Sequence, residues 1–224
     1  IAFGIAGSGV QTINVGAAGL PNITQALIID GWTQPGYTTT PLIELNGGNL
    51  GTSINGLSLR AGSDGSTVRG LVINRFDASG IYLNGSGNHT IQGNWIGLDA
   101  TGTLASANLR KGVLALNSSG NLIGGTNRAQ GNVVSGNAEQ GIHFVDVDDS
   151  TISGNHVGTD KTGTVDVNGT TFNGLQSGLA ITAGSSGNLV GGTTAGARNI
   201  ISGNNHYGFE LDDAGTRNNR VQGN

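Results

Sequence analysis

Gly93-Asn94-Trp95-Ile96-Gly97-Leu98-Asp99-Ala100-Thr101-Gly102-Thr103 returns 61 residues later as Gly154-Asn155-His156-Val157-Gly158-Thr159-Asp160-Lys161-Thr162-Gly163-Thr164. The glycines, the asparagine, the aspartate and the closing Thr-Gly-Thr keep their order. A second pair lies close behind. Ser118-Ser119-Gly120-Asn121-Leu122-Ile123-Gly124-Gly125-Thr126 recurs 67 residues on as Ser185 to Thr193, with Val190 in the place of Ile123. Asn132-Val133-Val134-Ser135-Gly136-Asn137 is answered by Asn199-Ile200-Ile201-Ser202-Gly203-Asn204. Three ordered matches at similar offsets are the signature of a repeat architecture.

Within each unit runs a finer period of roughly 30 residues, opened by a glycine and a short apolar alternation. Gly80-Ile81-Tyr82-Leu83, Gly112-Val113-Leu114-Ala115, Gly141-Ile142-His143-Phe144, Gly178-Leu179-Ala180-Ile181 and Gly208-Phe209-Glu210-Leu211 all show it. Alternation with period two predicts a half-buried strand. Two further short strands follow in each period, for example His89 to Gln92 and then Trp95 to Leu98. No segment of ten residues keeps a helical period. Three short strands per turn, with glycine and asparagine corners, predict an all-β parallel β-helix of about seven coils stacked about 4.8 Å apart. It is expected to form a single domain over residues 1–224, with N-terminal coils in 1–56 and repeat coils in 57–224, and to be a piece of a longer chain.

Composition supports this reading. The chain holds 42 glycines and 25 asparagines among 224 residues. Glycine takes the left-handed or tight backbone of a corner freely, and asparagine tolerates it. Asparagines at one corner of successive coils can also form an amide ladder. Asn94, Asn155 and Asn224 occupy one matching position, and Asn137 and Asn204 another. The alternation places Ile81, Leu83, Val113, Ala115, Ile142, Phe144, Leu179, Ile181, Phe209 and Leu211 inward. Tyr82, Leu114, His143, Ala180 and Glu210 are expected to face outward.

The Leu20-Pro21-Asn22-Ile23-Thr24 and Ile28-Ile29-Asp30-Gly31-Trp32-Thr33-Gln34-Pro35-Gly36 segments, with the Thr-Gly-Thr and Gly-Gly-Thr repeats, resemble right-handed parallel β-helix repeat proteins. These occur in large secreted bacterial surface proteins. The resemblance covers essentially the whole chain and implies an extracellular or cell-surface address. It brings no catalytic signature.

Only 11% of the residues are charged and the net charge is −4, with a pI near 5.4. Ten scattered basic residues make no phosphate-binding stripe, which argues against nucleic acid. No stretch is long and apolar enough to predict membrane insertion. With no cysteine there are no disulfides and no Cys-ligated zinc.

Several β-helical families act on polysaccharides, a chemistry that needs acids and bases on the outward faces. The densest cluster is His143, Asp146, Asp148 and Asp149, two coils below Glu210, Asp212 and Asp213. Aligning Gly141 with Gly208 puts His143 over Glu210 and Asp146 over Asp213, about 10 Å apart. In a catalytic reading His143 is a base, and Asp146, Glu210 and Asp213 donate a proton or hold Ca²⁺. In a structural reading the aspartates form Asx-turns. Asp99 and Asp160 divide in the same way between Ca²⁺ ligands and side-chain caps of their Thr-Gly-Thr turns; no other cofactor is implied.

Three functions follow as expectations. The first is a structural or binding segment of an extracellular bacterial surface protein, an adhesion-type stalk with carbohydrate contact. The second is a polysaccharide lyase or uronate epimerase, and the third a self-assembling extracellular filament subunit. The corresponding partners are polysaccharide, or neighbouring copies stacked end to end.

Overall fold

The computed structural model describes residues 1–48, 51–168 and 177–224. Its strands fall into three parallel sheets, and each coil contributes one strand to each sheet. The first sheet stacks Leu57–Leu59, Ile81–Asn84, Val113–Leu116, Ile142–Val145, Leu179–Thr182 and Phe209–Leu211. The second stacks Ile28–Asp30, Thr67–Arg69, Thr90–Gln92, Leu122–Gly124, Thr151–Ser153, Leu189–Gly191 and Arg220–Gln222. The third stacks Gln11–Asn14, Ile43–Asn46, Leu71–Asn74, Trp95–Ile96, Val133–Val134, His156–Val157 and Ile200–Ile201. This is a parallel β-helix of three short strands per coil.

Register makes the core. In the first sheet Ile81 pairs with Val113, which pairs with Ile142, which pairs with Leu179. In the third, Ile73, Ile96, Val134, Val157 and Ile201 form an equivalent column. Like side chains sit directly over like in one continuous cluster. Each fully buried aliphatic in it contributes about 1.5–3 kcal/mol.

Three placements differ from the alternation. Phe209 is half-buried and Leu211 exposed, because their strand closes the first sheet and has a neighbour on one side only. Ala180 faces outward in register yet is fully buried, its methyl flanked by the larger His143 and Glu210 on the adjoining strands.

Asparagine ladders tie the corners. Between the second and third sheets, Asn94, Asn132, Asn155, Asn199 and Asn224 form one column. Each side-chain amide donates to the next Oδ1, at 3.1, 2.9, 3.0 and 2.8 Å in turn. The same Oδ1 atoms accept the backbone N–H of the preceding member. At the corner between the first and second sheets the column is mixed: Asn121 Oδ1 takes the His89 N–H, Ser150 Oγ the Asn121 N–H and Asn188 Oδ1 the Ser150 N–H. These bonds satisfy backbone donors that a corner removes from the sheets.

Corner insertions alternate. The turn from second to third sheet is short at Gly93, Gly154 and Gly223 but widens over 125–131 and 192–198. The turn from third to first sheet is long after Trp95–Ile96 and after His156–Val157, and short in the coils between and beyond. Each of these coils therefore carries one long corner, on alternating sides. Gly154 has φ +69°, and a Cβ there would run into the Gly125 carbonyl, so this tight corner requires glycine.

Candidate functional site

The acidic cluster belongs to the corners. Successive coils place Gly85, Asn117, Asp146, Ala183 and Asp213 at one left-handed position, with φ between 49° and 74°. Asn88, Gly120, Asp149, Gly187 and Asn218 share a second. Asp146 and Asp149 thus stand where other coils use glycine or asparagine, which is turn chemistry. Asp213 accepts the Ala183 N–H at 3.0 Å, and Asp148 accepts from the Ser186 N–H and hydroxyl at 2.7 and 2.8 Å. These carboxylates cap neighbouring coils.

His143 and Glu210 do share an outward column, with Ala180 between them. His143 Nε2 lies 3.1 Å from Thr182 Oγ1, and Nδ1 is buried without a partner. Burial is the main reason its pKa falls to about 4, and the charge of Lys111 adds to it. The ring is neutral at pH 7. Glu210 takes its hydrogen bond from Ser177 Oγ at 2.7 Å, and the same hydroxyl lies 3.3 Å from His206 Nδ1. The serine sits between acid and imidazole, so the order of a nucleophilic relay is not met.

Asp99 and Asp160 latch their own loops. Asp99 Oδ1 accepts from Thr101 Oγ1 at 2.9 Å and from the N–H groups of Thr103 and Leu104. Asp160 Oδ1 accepts from Thr162 Oγ1 at 2.7 Å and from the N–H groups of Thr162, Thr164 and Val165. Burial pushes both carboxyls up, but the threonine hydroxyl and backbone donors outweigh it and hold them below the usual range. Among the described residues no group of three or more His, Asp or Glu side chains could hold a metal ion.

A cleft of about 420 Å³ opens elsewhere, on the outer face of the third sheet. Its floor is the outward column Trp95, Val133, His156 and Ile200, one residue wide because these strands are two residues long. The widened corners 125–131 and 192–198 form one wall and bring Arg128 and Arg198 to it. The Thr-Gly-Thr loop at Asp160 forms the other and supplies Lys161 and Thr162, while Thr39 and Thr40 line the cleft beside Trp95. Lys161 Nζ stands 5.4 Å from the centre of the Trp95 ring. That ring packs with Val72, Leu98 and Val133 in a small second core outside the sheet.

No family model, curated protein or solved structure matches the chain.

Electrostatically the cleft is one-signed. Three of the ten basic residues line it and none of the fourteen acidic ones does. The ion pairs among the described residues, Asp30–Arg69, Glu44–Arg75 and Lys111–Glu139, involve none of these three cations. His156 is held below its ordinary pKa, chiefly by burial and further by Arg128, so it adds no charge at pH 7. Such a surface can hold an anion but has no carboxylate pair for acid–base work on a bound sugar. The cleft was missed in the sequence because Arg128, Lys161 and Arg198 come from three separate corners. The repeat could not have flagged them, because at its 67-residue offset Arg128 matches Ala195 and Arg198 matches Gly131.

Proposed function

We propose that this chain is a rigid, non-catalytic binding segment of an extracellular surface protein, presenting the third-sheet cleft from a β-helical rod. The observation that carries this reading is the division of labour among charges. The clustered acids, Asp146, Asp148, Asp149 and Asp213, stand at corner turns or cap the next coil, while the cations of the cleft enter no ion pair among the described residues. A site that must bind without turning over needs the second and not the first. The surface address is the one implied by the resemblance of the repeats to secreted β-helix proteins.

The test pairs a glycan-array screen with an assay for new reducing ends, unsaturated uronates and C5-inverted uronates on the same polysaccharides. Binding without product supports the reading. Product formation that His143→Ala abolishes would replace it with the lyase or epimerase.

A further inference from the structure

We infer that the third-sheet cleft binds a single linear anionic polysaccharide laid along the coil axis, with its acid groups against Arg128, Lys161 and Arg198. The inference rests on the binding-segment reading above and names the ligand class of that same site.

Length and width come first. The floor spans four adjacent strands, from Trp95 to Ile200, so three strand spacings make it about 14 Å long. It is one outward residue wide, walled on both sides by corner loops. That shape admits one extended chain and no duplex. The two arginine-bearing corners belong to alternate coils and Lys161 comes from the coil between them, so three successive coils supply one cation each. Cations at such intervals match a polymer with an acid group recurring along its length, not one isolated anion.

The surface chemistry selects among single-chain polyanions. An acidic peptide lying here would set its N–H and C=O groups on Val133 and Ile200, with no strand edge to pair them, and unpaired backbone groups are costly. Single-stranded nucleic acid binds chiefly by stacking bases on open aromatic faces. Of the two aromatic rings on the floor, Trp95 is 6% exposed and lies beneath Lys161, and the His156 imidazole is half-buried against Gly163. A sugar ring has what the cleft can use: an apolar C–H face for Val133 and Ile200, hydroxyls at the rim for Thr40 and Thr162, and a carboxylate or sulfate for the cations. Guanidinium groups suit both of these acids, since each offers two oxygens to the planar fork.

The experiment measures affinity of the whole chain for polygalacturonate, dextran sulfate, neutral dextran, polyglutamate and poly(dT). Binding to polygalacturonate or dextran sulfate, with neutral dextran left unbound, is the expected result; which of the two binds separates a carboxylate ligand from a sulfate one. Affinity should fall as NaCl rises from about 0.02 to about 0.3 M, as exposed charge pairs do when screened. EDTA should leave it unchanged, because the cations are side chains. Arg128→Ser combined with Arg198→Ser should weaken binding about tenfold. Ala195→Glu, on an exposed turn at the rim, should weaken it too, with thermal melts confirming that both variants fold. Undiminished binding in both variants, or tighter binding of polyglutamate, poly(dT) or neutral dextran, overturns the inference; so does binding of none of the five. In those cases the binding-segment reading stands or falls separately, on whether the chain cleaves polysaccharide.

Discussion

Asn132 Nδ2 donates to Asn155 Oδ1 at 2.9 Å, and Asn155 Nδ2 donates in turn to Asn199 Oδ1 at 3.0 Å. Asn155 also accepts the Asn132 N–H and gives its amide to the Ile123 carbonyl at 2.9 Å. All of this is buried. Asn155→Ala would take the acceptor from the Asn132 N–H and Nδ2 and the donor from the Ile123 carbonyl, all on the adjoining coil, while Asn199 Oδ1 keeps the Asn155 N–H. Each unsatisfied buried group costs roughly 1–3 kcal/mol. We expect a loss of about 3 kcal/mol in urea unfolding, with faster amide exchange concentrated around residue 132. A loss under about 0.5 kcal/mol would mean the ladder follows the coil without holding it.

Ala183 stands in the left-handed region at φ 55°, where other coils use Gly85, Asn117, Asp146 or Asp213. For alanine that conformation costs about 1–2 kcal/mol, part of which glycine gives back through its freer unfolded chain. Ala183→Gly should therefore raise stability by about 0.5–1 kcal/mol, visible as a higher urea midpoint at unchanged slope. A lower midpoint would contradict the assignment of this corner.

His143 sets an acid limit. Its folded pKa of about 4 lies below the ordinary value of 6.5, so the unfolded chain binds the proton more readily. Stability from this group is complete above the unfolded pKa and is lost as pH falls from about 6.5 towards 4, on the order of 2 kcal/mol in total. The melting temperature should drop across that window, and His143→Gln should flatten the drop. His89, buried at a corner with Nε2 2.9 Å from Ser86 Oγ and likewise lowered by burial, contributes in the same direction. An equally steep profile in His143→Gln would remove His143 from the account.

Asp160 offers a test of calcium. Its Oδ1 already accepts from four donors of its own turn. Added Ca²⁺ should leave the melting temperature unchanged, whereas Asp160→Ala should cost about 1–3 kcal/mol by freeing those donors. A melting temperature that rises with Ca²⁺ and no longer does so in Asp160→Ala would restore the metal reading.

The three-strand coil was legible because the first-strand alternation and the recurring glycines are local. Ile81, Val113, Ile142 and Leu179 could be placed in one inward column before any coordinates. The ladder was legible in part. Asn94, Asn155 and Asn224 stood out because each follows Ser-Gly or Gln-Gly in a short corner. Asn132 and Asn199 belong to the same column, but the widened corners set them eight residues after the preceding strand, where the short corners leave two. The aspartates are dense in the sequence around residues 146–149, but density does not show that Asp146 and Asp149 hold left-handed corner positions. The cleft depends instead on which corners widen, and on Lys161 reaching back over Trp95, a contact between residues 66 apart in the chain. Periodicity does not encode such a contact.

The alternation of long corners has a consequence for how such a rod can change length. Adding one coil would put two Thr-Gly-Thr loops on adjoining coils and push Arg128 and Arg198 out of step with Lys161. Adding two keeps every insertion opposite its proper neighbour and extends the floor by a whole repeat. The unit of length that keeps these insertions in step is therefore the pair of coils.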